Sequence, residues 1–394
     1  MSKKKIPKQL RGFTENNSAE LIRGGKDYFE HVVKLIRGAK DTIHLQTYIF
    51  DDDETGTLVA NALKEAAGRK VKVYLLLDGY ASQGLSKSFI QDLKDAGIHF
   101  RYFQPLLRSK YFYFGRRLHQ KVMVFDTFDA VVGGVNVANH YNDIEGEPAW
   151  LDFAVHIRGE AAQELCVVCW KSWKNFPKSM GLTPCETKPP DFKIPTSEKT
   201  KIRIRRNDWV RRKNQITGTY SQLFRNAKKE VTVLCSYFLP GRKIRRHIIA
   251  ATRRGVKIRL ILAGLSDVKT AKNAERYIYD WLLRNGISIY EYKKTILHGK
   301  LAVCDRDWMT IGSYNVNNLS AYASIELNLD LYNPSFAANA EDRLNKIIEK
   351  DCVSITAKKL KKSSNVFTRL KNWISYRLVQ LSLFLFTFYF KERG

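Results

Sequence analysis

His119-Gln120-Lys121-Val122-Met123-Val124-Phe125-Asp126 and His298-Gly299-Lys300-Leu301-Ala302-Val303-Cys304-Asp305 are two copies of one signature, His-x-Lys-x4-Asp. Each is followed at the same interval by an asparagine after small residues. Asn136 closes Gly133-Gly134-Val135-Asn136 (136 − 119 = 17) and Asn315 closes Gly312-Ser313-Tyr314-Asn315 (315 − 298 = 17). One such match in a lysine-rich chain arises by accident in roughly a few per cent of cases, and two with the same downstream spacing orders of magnitude less often. The duplication therefore predicts two halves of one design.

The residue types indicate the chemistry. A His-x-Lys pair leading into alternating apolar residues reads as a strand, on which positions i and i+2 share a face, so imidazole and ammonium are expected to enter one pocket. Asparagine after glycine can bring an amide donor close to an anionic oxygen. Two halves together offer two imidazoles, two ammonium groups and two amides. That set suits a phosphodiester held by its oxygens while one His attacks phosphorus and the other protonates the departing alcohol. Asp126 and Asp305 lie five residues beyond their lysines, on the opposite strand face if the strand continues, and are expected to brace the motif.

Length and pattern agree with two domains. A chain of 394 residues exceeds one ordinary core. Residues 1–180 are expected to form the first half, 181–200 a linker, 201–350 the second half, and 351–394 a basic segment with an apolar end. The linker is marked by Pro177, Pro184, Pro189, Pro190 and Pro195, half of the chain's ten prolines. In the first half, helical patterns at 28–39 and 58–67 alternate with strands at 42–50 and 71–77. In the second, helices at 219–227 and 244–254 alternate with strands at 231–238 and 256–262. Alternation of this kind predicts α/β layering, two similar halves with mixed β-sheets flanked by helices, related by a pseudo-twofold with the active site between them.

On the duplicated signature the chain resembles the phospholipase D superfamily, and within it the short, B-type bacterial cardiolipin synthases. The likeness extends from Glu20-Leu21-Ile22-Arg23-Gly24-Gly25 through Tyr48-Ile49-Phe50-Asp51-Asp52-Asp53 to Leu331. It includes Trp150-Leu151-Asp152, Ile157-Arg158-Gly159 and Ile289-Tyr290-Glu291-Tyr292. The resemblance implies that one of His119 and His298 becomes a phosphohistidine and the other acts as general acid. Lys121, Lys300, Asn136 and Asn315 would bind phosphate, and acidic residues, Glu326 and Asp152, would orient the histidines. It further implies a phosphatidyltransferase making cardiolipin from phosphatidylglycerol, or a phospholipase D-type hydrolase or nuclease of the same superfamily. One departure concerns the Arg-Ser pair that longer members carry four residues after the second Asn. Here the pair is Leu319-Ser320. That leaves the head groups open among phosphatidylglycerol, phosphatidylethanolamine and glycerol.

The charge balance, 67 basic against 39 acidic residues for a net +28, calls for a polyanionic partner. Two features favour an anionic phospholipid membrane over nucleic acid. Basic and aromatic residues interleave from Arg101 to Arg117, just before His119, as at a lipid interface. The apolar run Trp373 to Phe390 ends the chain, and roughly 18 residues at ~1.5 Å rise barely match a ~30 Å hydrocarbon core. Arg377, Gln380 and Ser382 within it favour a shallow or re-entrant anchor over a span. With no signal peptide, the expected location is the cytoplasmic face of the bacterial inner membrane. Cys166-Val167-Val168-Cys169 lies in a run that reads as an amphipathic helix, with no second Cys pair or nearby His for a metal. No glycine-rich nucleotide loop or carboxylate cluster stands out, so neither a cofactor nor a metal is expected.

Overall fold

The computed structural model describes residues 12–105, 116–174, 194–317, 320–321, 324–363 and 365–391. Most of the basic, aromatic run, most of the proline-bearing stretch and Leu319 lie outside the described residues.

In the first half the order is β1 (Asn17–Arg23), α1 (Lys26–Gly38), β2 (Thr42–Thr47), α2 (Glu54–Gly68), β3 (Lys72–Asp78), α3 (Lys87–Asp95), β4 (His99–Phe103), β5 (Arg117–Leu118), β6 (Lys121–Phe125), β7 (Asp129–Gly133), β8 (Phe153–Gly159) and α4 (Glu160–Lys174). The second half runs β9 (Lys201–Asp208), β10 (Lys213–Asn214), α5 (Gln215–Asn226), β11 (Glu230–Cys235), α6 (Arg242–Arg253), β12 (Lys257–Ala263), α7 (Lys269–Tyr277), α8 (Tyr279–Arg284), β13 (Ser288–Tyr292), β14 (Lys300–Cys304), β15 (Trp308–Gly312), β16 (Ser324–Tyr332) and α9 (Pro334–Asp351). Beyond it lie β17 (Cys352–Ile355), α10 (Ala357–Ser363) and a last helix, α11 (Val366–Lys391).

Local sequence explains these elements. The apolar residues of α1 that are buried, Tyr28, Phe29, Val32, Val33 and Ile36, follow helical spacing. Asp53 caps α2, its carboxylate accepting from the Gly56 amide at 2.8 Å. Strands expected to run to Phe50 and Phe238 stop at Thr47 and Cys235. Beyond Thr47 the backbone turns to other partners: Ile49 N donates to the Asn136 side chain and Phe50 N to Ser82 Oγ. The chain thus leaves the sheet to build the pocket wall.

The first sheet has the order β1-β8-β7-β6-β2-β3-β4, and the second repeats it strand for strand as β9-β16-β15-β14-β11-β12-β13, with β10 and β17 added at its edges. β2, β3 and β4 are parallel, as are β11, β12 and β13, while the other pairs in this repeated order are antiparallel, so both sheets are mixed.

Alternation along β6 and β14 sets the layers. Val122, Val124, Leu301 and Val303 enter one core shared by both sheets, together with Leu165 of α4 and Leu344 of α9. Met123 and Phe125 face the outer helices of the first half, and Ala302 and Cys304 those of the second. Cys166 and Cys169 lie on the buried face of α4 in the shared core. Full burial of a Val or Leu side chain contributes roughly 1.5–3 kcal/mol. A core drawing such residues from both sheets therefore ties the halves into one body.

Two short cross-connections matter most for function. Arg117 and Leu118 of β5 pair in parallel with Ser324 and Ile325 at the start of β16. In the mirrored position Leu297 bridges in parallel to Leu151, with Leu151 N donating to Ile296 O and His298 N to Leu151 O, each at 2.8 Å. The residues just before each signature histidine are thus stitched to those just before the opposite half's acid.

Candidate active site

That stitching places each histidine against a carboxylate of the other half. His119 Nδ1 lies 3.0 Å from Glu326 Oε2, and His298 Nδ1 lies 2.6 Å from Asp152 Oδ2. An ionised carboxylate only accepts, so each Nδ1 carries the proton and each Nε2 presents a lone pair. Both acids are fully buried yet held low. Burial raises Asp152, but Lys300 and His298 outweigh it, and for Glu326 the opposing groups are His119, Lys121 and Ser313.

Small residues admit these acids. A Cβ on Gly134 would stand 2.4 Å from Asp152 Oδ1, so no side chain fits there. The corresponding residue of the second half, Ser313, instead donates its hydroxyl to Glu326, whose other oxygen accepts from Ser324 Oγ at 2.7 Å.

The histidines precede the strands, which begin at Lys121 and Lys300. The histidines therefore stand just outside the regular strands, and each lysine ammonium donates back to the carbonyl of its own histidine, at 2.8 Å for Lys121. Lys121 lies 5.2 Å from the Tyr48 ring centre, and Lys300 donates to Ser236 Oγ at 3.4 Å. Strand pairing makes Tyr48 and Ser236 equivalent, since Gln46 faces Val122 and Leu234 faces Leu301, two residues earlier in each case.

Asn136 Oδ1 is occupied by Ile49 N at 3.1 Å, which turns its amide nitrogen to Tyr141 OH at 2.8 Å. Asn136 Oδ1 also accepts from Thr47 Oγ1 at 3.4 Å, and in the second half Asn315 Oδ1 accepts at 3.7 Å from the thiol of Cys235, the equivalent of Thr47. Tyr141 OH also stands 3.4 Å from His298 Nε2. Tyr48, Tyr141, Ser236, Ser313 and Ser324 were not legible as site residues. Superposing the two halves strand on strand is the signal that exposes Tyr48 and Ser236.

Asp126 and Asp305 do not face this pocket. The strands end one residue before each, and both adopt positive φ, +50° and +53°. Their carboxylates collect three backbone amides apiece, Lys40, Asp41 and Thr42 for Asp126, and Lys228, Lys229 and Glu230 for Asp305. Each locks the turn that feeds the neighbouring antiparallel strand, β2 or β11. A left-handed turn, not a continued strand, removes them from the lysines.

Electrostatics favour neutral imidazoles in this site. Burial, then Lys300, pushes His298 down to about 4 against the pull of Asp152. His119 is lowered by burial, with Lys121 and Lys300 adding to it and Glu326 opposing. Burial and Lys300 bring Lys121 down to about 7, and burial lowers Lys300. Burial makes both ammonium groups readier to lose their protons, and an entering anion favours their charged forms. A phosphodiester supplies that anion. The same negative charge raises the imidazoles, so that one can hold the proton a leaving group needs.

Among the described residues, the group whose donor spacing could hold a metal is Glu20, His31 and His156, none of them in the histidine pair. Its rings already bond one another, His31 Nε2 to His156 Nδ1 at 3.1 Å, with His156 Nε2 on Asp129 at 2.8 Å. Turnover is therefore expected to persist in excess EDTA, since the lysines and amides supply the positive charge at phosphorus. Complete loss on chelation, restored by a divalent ion, would refute a metal-free reaction.

Two cross-paired histidines over two buried lysines, on a duplicated α/β fold, define an enzyme of the phospholipase D type. The chain belongs to the family whose model is described as cardiolipin synthase, PLD-like domain, which matches residues 32–165 and 220–348. It is 33% identical over 362 residues to cardiolipin synthase B of Salmonella typhimurium, covering 89% of this chain and 85% of that one. Against cardiolipin synthase B of Escherichia coli (strain K12) the identity is 32% over 346 residues, covering 86% and 83%. In fold it is similar to phosphatidylserine synthase of Haemophilus influenzae, with a TM-score of 0.73 at 13% identity over 95% of this chain and 96% of that one. A polyphosphate kinase from Porphyromonas gingivalis is similar at a TM-score of 0.59 and 15% identity, over 93% of this chain and 53% of that one.

Proposed function

We propose that the protein is a membrane-associated phosphatidyltransferase that makes cardiolipin from phosphatidylglycerol through a phosphohistidine. The crossed His–carboxylate pairs carry this reading, supported by the names of relatives that align over most of the chain. In the first step the Nε2 lone pair of one histidine attacks phosphorus, the bond from phosphorus to the departing alcohol oxygen breaks, and the other histidine gives that oxygen its proton. In the second step the acceptor hydroxyl passes its proton to that second histidine and attacks phosphorus, breaking the P–N bond. Lys121, Lys300 and the Asn136 and Asn315 amides hold the non-bridging oxygens throughout. Asp152 and Glu326 keep each imidazole oriented and stabilise its charged form.

The last helix supports a membrane setting. Its inward side carries Asn372 and Ser375, both buried, while Val366, Phe367, Leu370, Trp373, Ile374, Leu378 and Leu381 are exposed. This inverts the arrangement of a water-facing helix, whose apolar stripe turns to the core. No described helix is long and apolar enough to cross a membrane. The helix therefore suits lying in the interface, at the cytoplasmic face of the inner membrane, with its apolar side among the lipids. Removing residues 366–394 is expected to shift the protein from vesicles to the soluble fraction in flotation while turnover of a short-chain, soluble phosphatidylglycerol persists. An unfolded truncation would show that the helix is instead required by the core.

Synthesis and hydrolysis differ only in what attacks the phosphohistidine. With labelled phosphatidylglycerol vesicles, cardiolipin is expected to exceed phosphatidic acid among the products, because lipid alcohols arrive laterally at high effective concentration. Phosphatidic acid predominating at every lipid concentration would make the protein a hydrolase. Running the reaction with added glycerol or phosphatidylethanolamine identifies the acceptors used.

A further inference from the structure

A cavity of about 470 Å³ opens between α6 and α11, away from the histidine pair. Arg242, Arg245 and Arg377 line it beside Tyr277 and Tyr376, and the Arg377 guanidinium stands 5.7 Å from the Trp373 ring centre. Arg245 is held in place by Pro240 O at 2.8 Å and Tyr376 OH at 3.1 Å, and its guanidinium stands 5.2 Å from the Trp281 ring centre. Arg242 and Arg377 are exposed. Among the described residues no carboxylate forms an ion pair with any of the three. Three guanidinium groups in one hollow, paired with no described carboxylate, form a site for an anion with several oxygens, the recognition that arginine performs best.

The surroundings say which anion. Arg377 and Gln380 also border an apolar patch on the exposed side of α11, formed with Trp373, Ile374, Leu378 and Leu381. A cationic hollow beside an apolar helix face matches an amphiphile with a phosphate head and hydrocarbon tails. The wall nearest the catalytic site is Leu239, whose amide donates to Val316 O at 2.9 Å, one residue past Asn315. A molecule bound there lies against the loop that carries a phosphate-binding amide.

We propose that this hollow binds the phosphate head group of a second anionic phospholipid, distinct from the one reacting at the histidines, with its acyl chains along the exposed apolar side of α11. The proposal rests on the membrane-associated reading above. It gives the inverted helix a chemical preference, so that α11 docks on anionic lipid in particular and brings a lipid beside the Asn315 loop.

The test uses the full chain and vesicles of phosphatidylcholine with or without phosphatidylglycerol, read by co-sedimentation, which needs no turnover. Arg242→Gln with Arg377→Gln is expected to weaken binding to the phosphatidylglycerol vesicles about 25-fold, roughly fivefold for each arginine near an anionic surface. Binding to pure phosphatidylcholine should change little. Lys87→Gln with Lys257→Gln removes the same charge from exposed positions elsewhere and is expected to cost less than about twofold. Equal losses for the two pairs would reduce the effect to general electrostatics and overturn the site. Arg377→Leu keeps that side of the helix apolar, so it should lower the preference for phosphatidylglycerol about fivefold without reducing binding to phosphatidylcholine. An unchanged preference would also overturn the site. Competition separates the two phosphate sources: millimolar inorganic phosphate should fail to release the protein from phosphatidylglycerol vesicles. Release by phosphate in the wild type and not in the double variant would make the ligand a free anion. Turnover of the soluble short-chain substrate should stay unchanged in all these variants. Its absence in the wild type would refute the proposed activity and leave the lipid-binding result standing.

Discussion

Replacing either His119 or His298 with alanine is expected to lower turnover at least about 1000-fold while leaving the fold intact, because attack and leaving-group protonation each need an imidazole and the site holds one from each half. Groups that act as a unit are strongly non-additive, so the double replacement should cost about as much as either single one. Single-turnover kinetics with a short-chain substrate would measure the loss, and circular dichroism would show the fold. A variant retaining more than about a tenth of the rate, less than ~1.4 kcal/mol of barrier, would contradict a shared site.

Asp152→Asn and Glu326→Gln are expected to lower turnover by about 100- to 10,000-fold, because a side-chain amide can donate to Nδ1 and so favours the wrong imidazole tautomer. The crossing gives this prediction a distinctive signature. Each carboxylate pulls its histidine's pKa upward, so removing it should drive that pKa further down, that of His298 in Asp152→Asn and that of His119 in Glu326→Gln. Titration of labelled imidazoles by NMR reads each ring separately. A shift of the histidine from the same half as the altered acid, with the other unmoved, would mean that the pairs are not crossed. The direct hydrogen bond from His298 to Asp152 is the shorter, 2.6 Å against 3.0 Å, so Asp152→Asn should have the larger effect.

The extent of the fold that could be read from the chain follows from how local its signals are. The helix at 28–39 and the strand at 71–77 were expected within two residues of α1 and β3, since their apolar spacing is repeated over whole elements. Strand ends at Thr47 and Cys235 were not legible. Residues beyond them remain apolar, and only the Asn136 side chain and Ser82 hydroxyl, distant in sequence, draw the Ile49 and Phe50 amides away from the sheet. Likewise the bracing role of Asp126 and Asp305 was anticipated, but through continuation of a strand that in fact ends in a left-handed turn.

Duplication, residue chemistry and family likeness were determined by the sequence alone, because identical spacings in two places need no contact to be recognised. The tertiary structure decided which acid serves which histidine. Parallel pairing of Arg117-Leu118 with Ser324-Ile325, and of Leu297 with Leu151, carries each histidine across the interface to the opposite half's carboxylate, a relation with no counterpart in linear spacing. It also decided the meaning of the tail. An apolar run is visible as composition, but whether its apolar side faces the protein or the solvent depends on what α7 and α6 offer it. They take Asn372, Ser375 and Tyr376 and leave Trp373, Leu378 and Leu381 outward, because Tyr376 docks there, its ring against Tyr277 and its hydroxyl accepting from Arg245.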